Sequence, residues 1–116
     1  MLEKLFGNAV IEKILFFLLR NEKAYGSEVA QHMNIALYSV QQALKRLEDG
    51  GIIVAQSVGK TRVYQFNPRY PFQDELKLFL EKAYTFLPEG DGIKYERAVR
   101  KRPRKTGKPL VQLSDD

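Results

Sequence analysis

The chain has 116 residues, no cysteine, 44% hydrophobic residues and a formal net charge of +5. Such a length suits one domain with a small core, and the missing thiols exclude a disulfide framework and any thiolate metal site. The charge is divided unevenly: residues 1–96 carry twelve Lys/Arg and twelve Asp/Glu, whereas residues 97–116 carry seven and two. The longest apolar run, residues 14–19, is far short of the ~18 residues of a membrane span. The start Met-Leu-Glu-Lys has neither the basic residues nor the cleavage site of a signal peptide, so a cytoplasmic protein without a membrane role is expected.

At the amino end Leu2, Leu5 and Phe6 form a short apolar stripe before Gly7, and Asn8 can cap the helix that follows. Val10, Ile11, Ile14, Leu15, Phe17 and Leu18, widened by Phe16 and Leu19, predict a core helix over residues 10–20. The excess apolar width, with Leu2, Leu5 and Phe6, would equally suit a subunit interface. Residues 21–26 read as a polar connector, and Ser27 as the cap of a second helix with Glu28 in its first turn. His32, the only histidine, has no acidic cluster at metal-ligand spacing, so a partly exposed polar side chain is expected there.

Residues 37–49 carry the most informative pattern. Leu37, Val40, Ala43, Leu44 and Leu47 fall on a helical stripe, leaving Tyr38, Ser39, Gln41, Gln42, Lys45 and Arg46 off it, and Gly50-Gly51 ends the helix. Glutamine amides match the adenine edge of a DNA major groove, and Lys45 and Arg46 suit guanine or phosphate. An ordinary solvated helix face has the same composition. Two β-rich runs within residues 52–66 follow, joined by Ser-Val-Gly-Lys-Thr with glycine at the tip, so a hairpin is expected with Lys60 and Arg62 near its end. Two prolines, at 68 and 71, stop the second strand. A last helix over residues 72–87 then shows Phe72, Leu76, Phe79, Leu80, Ala83, Phe86 and Leu87 on one broad face.

The order and spacing of these elements over residues 7–87 resemble a winged helix-turn-helix domain of the ArsR-like regulator type. The resemblance rests on the first helix, on Ser27-Glu28-Val29-Ala30 and the turn Met33-Asn34-Ile35-Ala36. It extends through Ser39-Val40-Gln41-Gln42-Ala43-Leu44-Lys45-Arg46-Leu47-Glu48, then Gly51-Ile52-Ile53 and the wing. It implies an α+β fold, mainly helical with a small β-wing, flanked by amino- and carboxy-terminal dimerisation helices, and a short strand near Tyr25-Gly26 that pairs with the wing. It further implies a homodimeric, sequence-specific DNA-binding transcriptional regulator. Residues about 37–49 would enter the major groove and the wing at about 52–66 would lie on flanking DNA. The implied contacts to double-stranded DNA are Leu37, Tyr38, Ser39, Gln41, Gln42, Lys45, Lys60 and Arg62, and the implied dimer contacts are Leu2, Leu5, Phe6, Leu76, Phe79, Leu80 and Ala83. Many ArsR-like proteins sense metals through cysteines near this helix; this chain has none. The other reading of the same fold is a protein-binding or adaptor module without specific DNA binding.

Residues 88–116 read as a linker, Pro-Glu-Gly-Asp-Gly, and a basic tail, separate from a domain of residues 1–87. Arg100, Lys101, Arg102, Arg104 and Lys105, around Pro103, resemble an AT-hook, but Lys101 stands where that motif has glycine. A nonspecific phosphate-binding arm fits better. The tail's Ile93, Tyr95, Val99, Leu110, Val111 and Leu113 would also suit docking on a partner protein, and a tail without structure or function is the plain alternative. No Ser/His/Asp set, cysteine nucleophile, phosphate-cradling glycine loop or paired carboxylates are present, so neither an enzyme nor a cofactor is expected.

Overall fold

A computed structural model describes residues 1–96. A short helix α1 (Glu3–Phe6) ends at Gly7, whose φ of 73° is left-handed. The core helix α2 (Ala9–Asn21) starts as its sequence dictates: the Asn8 side-chain oxygen accepts the backbone N–H groups of Val10 and Ile11, at 2.7 and 3.2 Å. Ile11, Ile14, Leu15, Phe16, Phe17 and Leu18 are all buried. Glu12 is buried with them, and its carboxylate accepts the Leu2 backbone N–H at 3.0 Å, which pins α1 across the start of α2.

Strand β1 (Lys23–Tyr25) and helix α3 (Gly26–Met33) follow. Ser27 does not cap α3, because the helix already begins at Gly26 and Tyr25 holds the cap position. Instead the Glu28 carboxylate turns back to accept the Tyr25 backbone N–H at 3.3 Å. Gly26 brings α3 close to the next helix; a Cβ there would meet Leu44 Cδ1 at 3.2 Å. Asn34 closes α3 in the left-handed region, φ 56°, a role asparagine fills with little cost.

Helix α4 (Leu37–Asp49) buries Val40, Ala43, Leu44 and Leu47. Its end is a Schellman motif in which Ile52 N–H donates to Leu47 O and Gly51 N–H to Glu48 O, each 3.0 Å. Of the two glycines only Gly51 has a positive φ, 78°. Strands β2 (Ile53–Val58) and β3 (Thr61–Phe66) form the hairpin, and β1 adds to its far side in the order β1-β3-β2, all antiparallel. Val58 pairs with Thr61, so the strands run further than the residue types alone suggest and leave a two-residue turn. Gly59 alone has positive φ there, the pattern of a type II′ turn.

Asn67 ties three elements together after the hairpin. Its side-chain amide donates to Gly51 O at 2.8 Å, its backbone N–H to Ile52 O at 3.0 Å, and its carbonyl accepts the Gln73 side chain at 2.7 Å. The last helix, α5 (Gln73–Thr85), thereby starts from the base of the wing and packs along α2. Residues 88–96 are not a spacer. They turn back onto the helices through a 3₁₀ turn (Gly92–Tyr95), burying Tyr95 against Phe16, with ring centroids 5.2 Å apart. Asn21 donates to Tyr95 O at 2.6 Å and Tyr84 OH to Gly92 O at 2.6 Å; a Cβ at Gly92 would meet that hydroxyl at 2.9 Å. The domain therefore extends to residue 96, past the boundary expected at 87, because a tyrosine after the glycines finds an aromatic socket on α2 and α5. The whole is mainly helical with a three-stranded antiparallel sheet, a winged-helix arrangement.

Candidate nucleic-acid interface

Helix α4 is amphipathic, and its polar side is bounded by two grooves. Leu37, Gln41, Leu44 and Glu48 recur at helical spacing and form the edge nearest the wing. Between this edge and β3 lies a groove lined by Leu37, Gln41, Lys60, Thr61, Arg62 and Tyr64, with Tyr25 and Ser27 also on its wall. Tyr38, Gln42, Lys45 and Asp49 form the outermost edge, opposite the buried stripe. With Ser39 and Arg46 they line a second groove, toward Asn8 and Val10 at the start of α2.

The eight residues expected at DNA fall in two sets, Leu37, Gln41, Lys60 and Arg62 on the wing groove and Tyr38, Ser39, Gln42 and Lys45 on the groove beside α2. Gln41 opens onto the wing groove and Gln42 onto the groove beside α2, because neighbours on a helix point about 100° apart. Tyr38 is the most exposed aromatic, at 71%, and Leu37 is 44% exposed. The contribution of Tyr25, Ser27, Tyr64 and Asn8 was not foreseen; each lies far along the chain from α4 and joins the site only through the fold. Ala36 precedes α4 with no side-chain cap, so the first N–H groups of α4 lack the usual side-chain oxygen partner.

Two of the cations are held by carboxylates of the same helix. Lys45 Nζ lies 3.1 Å from Asp49 Oδ2, and Arg62 Nη2 lies 2.7 Å from Glu48 Oε2. Arg62 also stands over the Tyr64 ring, 5.9 Å from its centroid, and interactions with Tyr64 and then Glu48 raise its guanidinium pKa above the ordinary value. Among the described residues Lys60 and Arg46 make no ion pair. Arg100, Lys101, Arg102, Arg104 and Lys105 lie outside the described residues.

The residues expected at a dimer contact divide differently. Leu5 is 67% exposed and Phe79 40%, whereas Leu2, Phe6 and Leu76 are partly buried against the core. Leu80 and Ala83 are spent on the chain's own core, at 0% and 8% exposure, because they face α2. Phe72, Leu78 and Phe86 are exposed in their place, and Phe72, Phe79 and Phe86 recur every seven residues along one edge of α5. His32 is exposed and meets the Phe17 ring edge-on, 5.3 Å between centroids. No described helix is long and apolar enough to cross a membrane.

No family model and no curated protein matches the chain. Among solved structures it is similar to a double mutant of ZitR from Lactococcus lactis in apo form. The TM-score is 0.51 at 17% identity, over 66% of this chain and 61% of that one. It is also similar to the adhesin competence repressor (AdcR) of Streptococcus pyogenes, with a TM-score of 0.49 at 14% identity, over 65% and 59% of the two chains. The chain therefore matches about three-fifths of the length of these proteins, and the likeness to ZitR is one of fold, the winged helix.

Proposed function

We propose that this chain is a homodimeric, sequence-specific DNA-binding transcriptional regulator. One observation carries the reading: the amphipathic α4 exposes both Gln41 and Gln42, Gln41 lining a groove shared with Lys60 and Arg62 of the wing and Gln42 lining a second groove with Lys45 and Arg46. In helix-turn-helix proteins the amino-terminal part of the second motif helix meets base edges. Here that part holds Leu37, Tyr38, Ser39, Gln41 and Gln42, with Lys45 on phosphate and Lys60 and Arg62 on flanking DNA. The charge distribution supports the same orientation. Residues 34–70 carry five Lys/Arg against two Asp/Glu, whereas residues 72–96 carry three against six. A polyanion would be drawn to the first segment and repelled by the second.

The exposed Phe72, Leu78, Phe79 and Phe86 on α5, with Leu5, supply the apolar surface of a two-fold dimer. The basic tail, Arg100 to Lys105, adds phosphate contacts that carry no sequence information. The winged-helix fold is shared by several regulator families, and an ArsR-like affiliation rests on the sequence resemblance alone. Selection from a random duplex pool with the full chain tests the proposal. The expected product is a near-palindrome with half-sites one helical turn, ~34 Å, apart. A pool that stays random, with no salt-dependent binding, would replace this reading by the protein-binding adaptor.

A further inference from the structure

The two carboxylates that end α4 are poorly placed for the helix itself. A helix carboxy-terminus carries partial negative charge, so anions in the last turn are unfavourable there. Yet Glu48 and Asp49 stand side by side in that turn, and neither faces the core. Each instead reaches a different cation of the surface proposed to meet DNA. Asp49 lies on the outermost edge and takes Lys45 at 3.1 Å; Glu48 lies on the wing edge and takes Arg62 at 2.7 Å, across fourteen residues of sequence. Both pairs are open to solvent, and such pairs are weak enough for a competing anion to displace.

Resting on the DNA-binding reading, we propose that Glu48 and Asp49 are built-in competitors of the DNA phosphates, positioning residues that hold Arg62 and Lys45 in pairs a phosphate must break. A duplex that offers only its backbone then meets a surface whose cations are already partly neutralised. Nonspecific binding is almost wholly a matter of such cations and of the counterions they displace from DNA. Holding down this term leaves Gln41 and Gln42, which read base edges, a larger say in where the protein stays. The Glu48–Arg62 pair also spans the gap between α4 and the wing.

The test measures binding of the full chain to one mixed-sequence duplex between about 50 and 200 mM salt, for the unmutated protein, Glu48→Gln and Asp49→Asn. Each variant is expected to bind about three- to fivefold more tightly, with log K against log salt steeper by about one for each cation released. Asp49→Asn is then repeated in a Lys45→Met background, where its gain should vanish, because the carboxylate acts through Lys45. A gain that persists there would show direct repulsion of DNA and overturn the pairing mechanism. Variants that bind no better than the unmutated chain, at an unchanged slope, would overturn the proposal while leaving the DNA reading intact. Failure of the unmutated chain to bind any duplex would remove that reading, and the proposal with it.

Discussion

Helices α2 and α5 have the same length, thirteen residues, and both carry broad apolar faces, but they use their apolar residues in opposite ways. From Ile14 to Leu18 helix α2 buries five residues in succession, so that nearly its whole circumference is enclosed. Helix α5 buries only Leu80 and Ala83 and leaves Phe72, at its start, Leu78, Phe79 and Phe86, just past its end, facing outward. Apolar content alone does not distinguish a core helix from an interface helix. The distinction lies in how many neighbours the fold can bring to each side, and a small winged domain can surround one helix but not two.

Four perturbations sharpen that contrast, and the largest effect belongs to α2. Phe16→Ala should cost about 3–5 kcal/mol, because a fully buried ring is replaced by a cavity. Urea unfolding would read this as a lower midpoint, whereas Phe79→Ala on α5 should leave the midpoint of the isolated fold nearly unchanged. Were Phe79→Ala to cost as much as Phe16→Ala, α5 would have no free face.

The second perturbation acts where the two helices meet. Tyr95 packs on Phe16 and near Tyr84, and burial pushes its hydroxyl pKa up to about 12, with nearby carboxylates adding to the shift. In the unfolded chain a tyrosine titrates near 10. Above that pH the unfolded state therefore loses a proton that the folded state keeps, and stability falls from pH 10 to 12. The loss is on the order of 2 kcal/mol. Denaturation followed across that window should show the fall in the unmutated chain and a smaller one in Tyr95→Phe.

Substitution of Phe79 by Ser should move the monomer–dimer equilibrium toward monomer by about tenfold or more while circular dichroism stays unchanged. Analytical ultracentrifugation over a dilution series would detect it, and a chain that is monomeric before substitution would refute the interface assigned to α5. The smallest effect is expected at the wing tip, where Lys60→Ala should lower the salt slope of duplex binding by about one without altering which sequence is preferred. A change of preferred sequence would mean that Lys60 reads bases.

How much of this was legible in the chain depended on how local each cause is. Asn8 capping α2, Gly51 ending α4, glycine at the hairpin turn and the burial of Val40, Ala43, Leu44 and Leu47 on α4 are decided within a few residues and are where the sequence pattern puts them. Leu37, expected on the same stripe, is instead 44% exposed because it starts the helix at the open wing groove. Ser27 misled because a cap is defined by where the helix begins, and α3 begins at Gly26 with Tyr25 at the cap position, two residues before a helix capped by Ser27 would. The domain end was misplaced for a longer-range reason: Pro-Glu-Gly-Asp-Gly has the composition of a linker, but Tyr95 is captured by an aromatic residue 79 positions away. Likewise the eight residues expected at DNA are chosen one by one from residue type and spacing. Their division into two grooves, and the Glu48–Arg62 pair across one of them, depend on how the wing lies against α4.

The most direct test of the central claim compares duplex binding by the full chain and by Gln41→Ala/Gln42→Ala, on a selected and a scrambled duplex at two salt concentrations. The account predicts that the unmutated chain prefers the selected duplex and that the double variant loses that preference, at about 1–3 kcal/mol for each base pair no longer read. Both proteins should keep the same salt-dependent hold on the scrambled duplex. Equal preference in the two proteins would contradict readout by α4.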